Sequence, residues 1–249
     1  MPAGYSGVQS ETAGNAAGDG RLVRNDEAAK RCTIWPPYGD DTNAATGRAA
    51  KVWPDRLYSR EQNFKAAQRT ARMLHTLYKL KKPTIACVRG AVRGGGVGLV
   101  AACDIAIASR DATFRLSEVK LGIIPAMISP YVIAAIGERY AHRYMLSGEE
   151  FDVAEAYRIG LVHDIVEEEG LNATVGRMLA HLYSSGPHAV VAIKQLIPVS
   201  THATIDDAIV DETARRIAGV RATPEAQEGL SAFLEKRKPS WVEPASKKK

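Results

Sequence analysis

Cysteine is scarce in this chain of 249 residues, with Cys32, Cys87 and Cys103 the whole complement. Three thiols at wide spacing, two of them inside apolar runs where a thiol packs like a small hydrophobe, indicate neither a disulfide framework nor a zinc site. Long apolar runs are lacking too: Asp104 cuts the best candidate short of the roughly 18 residues that a membrane span needs. The opening stretch "MPAGYSGVQSETAGNAAGDG" has no basic segment leading into an apolar one, so no secretory signal is expected and the cytoplasm is the expected location. Excess charge is small, 33 Lys and Arg against 28 Asp and Glu for a net +5, and part of it sits in the terminal "SKKK", a solvated tail. So mild a balance predicts no nucleic-acid partner, while a basic surface suits a polyanionic ligand such as a nucleotide phosphate.

What is present has the composition of a globular protein, 45% apolar and 24% charged, in a length that fits one α/β domain with an appended subdomain. Residues 1–56 stand apart. They are rich in Gly, Ala, Asn and Asp, carry Trp35 and Trp53, and show no sustained period of 2 or 3.6, so an atypical, poorly structured segment is expected there. The pattern changes abruptly in "SREQNFKAAQRTARMLHTLYKL", where Phe64, Ala67, Ala71, Leu74, Leu77 and Tyr78 recur at helical spacing behind a Ser59 N-cap and ahead of Pro83. "TIACV" and "DIAIAS" predict buried strands, and "GGVGLVAAC" between them predicts a short helix packed tightly between layers.

Further on, "ATFRLSEVKLG" predicts a strand ending in a polar turn near Glu118. Two helices are expected in "SPYVIAAIGERYAHRYML" and "DVAEAYRIG", the second capped by Asp152 and Gly160, with a strand in "LVHDIV" after them. Beyond residue 170 the spacing is wholly helical, with breakers separating four segments. Strands alternating with helices and then a helical tail predict an α/β core over residues 57–180 and a helical C-terminal subdomain over 181–249.

The chemistry centres on Gly94, Gly95 and Gly96. A helix start exposes backbone N–H groups that lack intrahelical partners, the helix dipole adds positive charge there, and a missing Cβ lets a ligand oxygen come close. Such a start suits a phosphate or a developing oxyanion. It lacks the Lys-Ser/Thr of a P-loop and the later acidic residue of a dinucleotide site, and close packing of a small-residue helix explains the same letters.

The surroundings narrow the reading. "KKPTIACVRGAVRGGGVGLVAACDIAIASRDATFRLSEVKLGIIP" resembles the enoyl-CoA hydratase/isomerase (crotonase) family, whose pattern runs K-P, a strand, N-G-x-x-x-G-G-G, C-D-I-x-x-A, x-A-x-F and P-E-x-x-L-G-x-x-P. The resemblance continues through "LSGEEFDVAEAYRIGLVHDIV" to "EGLSAFLEKRKPSW", covering residues 57 to about 242. It implies an α/β fold with a crotonase-like ββα spiral core and a C-terminal helical subdomain. It also implies an acyl-CoA thioester as substrate, with coenzyme A arriving as part of it and no separate cofactor or metal.

By the same resemblance, the Gly95 N–H holds the thioester oxygen and Glu118 moves the proton. Gly94 and Gly98 would line the substrate, and Phe233 and Lys236 would contact the CoA nucleotide in a homotrimer or dimer of trimers. Family hydratases carry a second glutamate two residues after the glycines, where this chain has Gly98. That departure, together with "IIPAMISPYV", is similar to the methylglutaconyl-CoA and carboxygeranoyl-CoA hydratase branch, which implies a branched or carboxylated enoyl-CoA. Alternatives are a double-bond isomerase, which also manages with one acid/base residue, and a non-catalytic acyl-CoA-binding protein of the same fold. The family's β-rich lead supplies a second oxyanion donor from an A-G-A-D-like motif, which residues 1–56 do not show, so the N-terminal part of the spiral is expected to be missing or replaced. A shifted reading frame upstream of residue 57 would produce this change of composition.

Overall fold

A computed structural model describes residues 33–38, 59–201 and 203–242 of the chain. Its centre is set by the apolar run "TIACV", which forms strand β2 (Thr84–Val88) with all five residues buried. A strand covered on both faces carries continuous rather than alternating hydrophobicity, as a parallel sheet requires. Accordingly β4 (Ile105–Ser109) pairs parallel with β2 from Ile85 opposite Ile105 to Val88 opposite Ala108. Strand β7 (Asp164–Val166) lies parallel on the far side of β4, and β1 (Thr33–Tyr38) parallel on the far side of β2.

Strand β1 lies within residues 1–56, the segment expected to be atypical and poorly structured. It lies at the edge of the sheet, and its register with β2 shifts between Trp35 and Tyr38, around Pro36 and Pro37. Proline has no N–H to give to a ladder and is tolerated at an edge, so the two prolines that hid the strand from a pattern search fit its position. The rest of residues 1–56 lies outside the described residues.

A second sheet has the order β3 (Ala91–Arg93), β5 (Thr113–Arg115), β6 (Glu150–Asp152), with β3 parallel and β6 antiparallel to β5. Successive strands therefore alternate between sheets, β2 to β3 and β4 to β5. Helix α2 (Gly95–Ala102) follows the first pair and α3 (Ser129–Ser147) the second, which is the ββα repeat that the resemblance implied. The three-residue strands β3 and β6 are too short to carry a readable period.

Helix α1 (Arg60–Tyr78) begins as expected: Ser59 Oγ accepts the Gln62 N–H at 3.2 Å, and Gln62 Oε1 accepts the Ser59 N–H at 2.8 Å. Its Leu74 and Leu77 are buried. Helix α3 differs from the single helix expected, because Gly137, at φ 74° and ψ 162°, breaks it. Helix α4 (Val153–Arg158) is capped by Asp152, which accepts the Glu155 N–H at 2.8 Å, and Gly160 follows it at φ 86°. The core joins Val88, Val97, Phe114, Val132 and Tyr144. Tyr144 and Phe151 rings stand 4.2 Å apart, and the buried Tyr144 hydroxyl donates to Glu155.

These elements belong to the first of two compact units, residues 1–80 with 84–176; the second is residues 81–83 with 177–249. Helix α5 (Leu171–Ser184) starts in the first unit and ends in the second, which also holds α6 (Pro187–Thr201), α7 (Asp207–Arg221) and α8 (Pro224–Leu234). Within it, Glu225 of α8 caps α6 by accepting the N–H groups of His188 and Ala189, both at 2.9 Å. Several of its large apolar residues are exposed, among them Ile193, Ile197, Ile217 and Leu230. Among the described residues, no helix is long and apolar enough to cross a membrane.

Candidate active site

The turn from β3 into α2 places the glycines. Gly94 is the N-cap, at φ 48° and ψ −116°, a backbone shape that side chains rarely allow. Its N–H donates to the Arg115 carbonyl of β5 at 2.9 Å, tying the turn to the second sheet. The first donors inside the helix are Val97 and Gly98, which reach the Gly94 carbonyl at 2.9 and 3.4 Å. The N–H groups of Gly95 and Gly96 thus precede the helical ladder, at the positive end of the dipole. Gly95 is exposed, and a Cβ built on it would meet none of the described residues within 4 Å.

Glu118 comes to the same place from the other side. It opens a short 3-10 helix (Glu118–Leu121) just after β5, and β5 lies beside β3, so the pairing brings its carboxylate to the glycine turn. A Cβ on Gly94 would stand 2.8 Å from Glu118 Oε1 and 3.3 Å from its carboxyl carbon. The missing side chain is what admits the carboxylate. Glu118 Oε2 is buried and has no hydrogen-bond partner among the described residues. Burial pushes the carboxyl above the usual carboxylate range, against a smaller opposing effect from its own backbone N–H. An unpartnered carboxylate of raised affinity for protons, beside unsatisfied N–H groups, can take and return a proton next to a stabilised oxyanion.

Gly98 is differently placed. It is buried, and a Cβ there would fall 2.1 Å from Ile128 Cγ2 and 2.5 Å from Ile128 Cβ. Ile128, 3% exposed at the N-cap of α3, occupies the space that a larger residue at position 98 would need. The structure therefore brings Gly94, Gly95 and Glu118 together and packs Gly98 against protein. Ile128 was missed in the sequence, where "PAMISPYV" gave a helix start but no sign of which residue it would touch.

Phe233 and Lys236 lie at the end of α8 in the second unit. Phe233 is 80% exposed, and Lys236 adopts φ 55° where the chain leaves the helix, with its N–H donating to the Phe233 carbonyl at 3.2 Å. His163 Nδ1 accepts the Ala106 N–H at 3.0 Å, and the His163 N–H donates to the Ala106 carbonyl at 2.8 Å, extending β4. No group of residues suited to a metal ion occurs among the described residues.

With this geometry in place, comparison with known proteins is informative. The family model described as enoyl-CoA hydratase/isomerase matches residues 45–244, starting upstream of the motifs read in the sequence. The mevalonyl-coenzyme A hydratase of Aspergillus fumigatus is 36% identical over 162 residues, 64% of this chain and 60% of that protein. A mitochondrial Delta(3,5)-Delta(2,4)-dienoyl-CoA isomerase of Dictyostelium discoideum is 33% identical over 231 residues, 87% of this chain and 76% of that protein. The crystal structure of an enoyl-CoA hydratase from Shewanella pealeana superposes with a TM-score of 0.71 at 43% identity, covering 81% of this chain and 72% of that one. The chain thus spans 60% of the length of the first relative and about three quarters of the second. It belongs to the enoyl-CoA hydratase/isomerase, or crotonase, family.

Proposed function

We propose that the protein adds water across the 2,3-double bond of an enoyl-CoA, one with a branched or carboxylated acyl chain of the methylglutaconyl-CoA type. The observation that carries this reading is the carboxylate of Glu118 lying against Gly94, with one oxygen buried and unpartnered beside the exposed start of α2. Water oxygen bonds to C3 while Glu118 takes a proton from that water. The electrons of the double bond move onto the thioester oxygen, where the Gly95 N–H stabilises the enolate. Glu118 then returns a proton to C2, so that one water is added and the carboxylate is restored. A backbone donor of this kind is worth on the order of 3 kcal/mol in the transition state.

Coenzyme A is part of the substrate in this scheme, and no separate cofactor takes part. Lys236 meets a phosphate of the CoA nucleotide as a point charge, and Phe233 contacts the same nucleotide. The exposed apolar side chains Leu121, Ile124, Ile197 and Ile217 support self-association, and the family resemblance gives its form as a homotrimer or dimer of trimers, checked by sedimentation equilibrium. The mevalonyl-coenzyme A hydratase among the relatives supports hydration, and the branch resemblance of "IIPAMISPYV" supports the acyl chain.

The test compares hydration of 3-methylglutaconyl-CoA by the wild type and by Glu118→Gln. Turnover by the wild type with loss in the variant supports the reading; negligible rates in both, with CoA-ester binding retained, assign the protein to binding without turnover. A second reading, double-bond isomerisation, is favoured by the single carboxylate at the site and by the dienoyl-CoA isomerase relative. Moving a double bond from the 3,4- to the 2,3-position needs proton transfer between carbons and no water. Conversion of a 3-enoyl-CoA without hydration of the 2-enoyl product selects it.

A further inference from the structure

The second sheet ends in a cluster of groups that the proposed chemistry does not use. Arg93, the residue before Gly94, has its side chain only 18% exposed. Its guanidinium donates at 3.2 Å to the Val92 carbonyl, to the Thr113 carbonyl and to Thr113 Oγ1, and it pairs with Glu150 of β6. Arg93, Arg115 and Glu150 are register partners across β3, β5 and β6. Strands of three residues hold marginally by their ladders alone, so a partly buried, multiply bonded ion pair is well placed to fix where β3 ends. Where β3 ends decides the direction of the Gly95 and Gly96 N–H groups.

The same stretch of chain also supports the other half of the site. The Gly148 carbonyl accepts from Arg115 Nε at 2.8 Å, and Arg115 in turn accepts the Gly94 N–H. A Cβ on Gly148 would stand 2.9 Å from Val119 Cγ1 and 3.3 Å from the Leu116 carbonyl oxygen, which bracket Glu118 in the sequence. Residues 148–150 therefore touch the supports of both the oxyanion donor and the acid/base group.

We propose that Arg93 and Glu150 are positioning residues: their ion pair, with Thr113 accepting from the same guanidinium, clasps β3 to β6 and sets the Gly95 N–H relative to the Glu118 carboxylate. This rests on the roles given above to Gly95 and Glu118. In this role neither Arg93 nor Glu150 has to touch substrate. Loosening the clasp misaligns donor and carboxylate, which costs turnover more than binding.

The experiment uses the full chain as wild type, Glu150→Ala and Glu150→Gln, the glutamine still able to accept the guanidinium's hydrogen bond. Hydrogen–deuterium exchange of peptides spanning residues 91–98 and 84–88 is measured with hydration kcat and KM. In Glu150→Ala, exchange over 91–98 rises about tenfold while the β2 peptide keeps its wild-type rate. Its kcat falls about tenfold with KM within twofold, and Glu150→Gln recovers most of both. Unchanged exchange over 91–98, equal acceleration of the two peptides, or a loss confined to KM overturns the clasp. If the wild type does not hydrate enoyl-CoA, the hydration reading fails by itself, and the exchange data still decide whether the clasp exists.

Discussion

Gly95 and Gly98 sit one helical turn apart in α2 and do opposite things. A methyl group on Gly95 would enter open space, whereas one on Gly98 would strike Ile128 at 2.1 Å. The first glycine keeps room for something outside the protein; the second lets the protein close upon itself. One run of glycines thus divides into an end that gives access and a half that packs. The difference also bears on the proton chemistry. At position 98, where family hydratases carry a second glutamate, Ile128 fills the volume, so among the described residues Glu118 is the carboxylate that stands at the glycine turn.

The largest expected effect tests the access end. Glu118→Gln keeps the side-chain shape and removes the proton carrier, and kcat for hydration is expected to fall by about 10² to 10⁴. A fall of less than tenfold in a rapid-mixing assay would reassign the proton to another group. The packing half responds in stability instead. Gly98→Ala is expected to cost about 1–3 kcal/mol, read from urea melts, because Ile128 must move out of a close-packed core. Ile128→Ala costs about 2–5 kcal/mol by itself, but the double variant should lose less than the sum of the two single losses; strict additivity would mean that the residues do not share one space.

Gly95→Ala sharpens the contrast from the other side. The new methyl meets no atom of the described residues, and alanine is the better helix former by up to about 1 kcal/mol, so urea melts should show stability equal to or above wild type. Hydration should still decline, since the methyl enters the space from which the thioester approaches the N–H groups. Full activity in Gly95→Ala would place the thioester elsewhere. Destabilisation as large as that of Gly98→Ala would remove the distinction between the two positions.

Much of this site was legible in the sequence because it is carried by local signals. "GGVGLVAAC" reads as a short packed helix without reference to any other segment, and the strands on either side follow from their β-branched runs. The Glu118 turn, too, was visible from its own neighbourhood. What was not legible depends on meetings between distant segments. Nothing within "PAMISPYV" says that Ile128 will lie over Gly98, and three-residue strands such as β3 and β6 exist only through their partners. Strand β1 was hidden because Pro36 and Pro37 mark a break in any local reading, and only its place at the sheet edge makes them harmless. The break of α3 at Gly137 is a case of the reverse kind, since apolar spacing continues across a glycine whose backbone does not.

The smallest expected effect joins stability to the same carboxylate. Burial raises the Glu118 carboxyl above its ordinary value near 4.5, so the folded chain binds that proton more tightly than the unfolded chain does. Its contribution to stability is then full below the ordinary value and is lost as pH rises through the raised one. Above that window the wild type holds a buried charge whose Oε2 has no partner among the described residues, and Glu118→Gln does not. The variant should therefore melt at a higher temperature than wild type at neutral pH, with the gap closing as the pH falls below the usual carboxylate range. Paired thermal scans across that range measure the gap directly. A gap that stays constant with pH would show that Glu118 titrates alike in the folded and unfolded chains, and would take from the site the tuned carboxylate that separates the access end of α2 from its packed half.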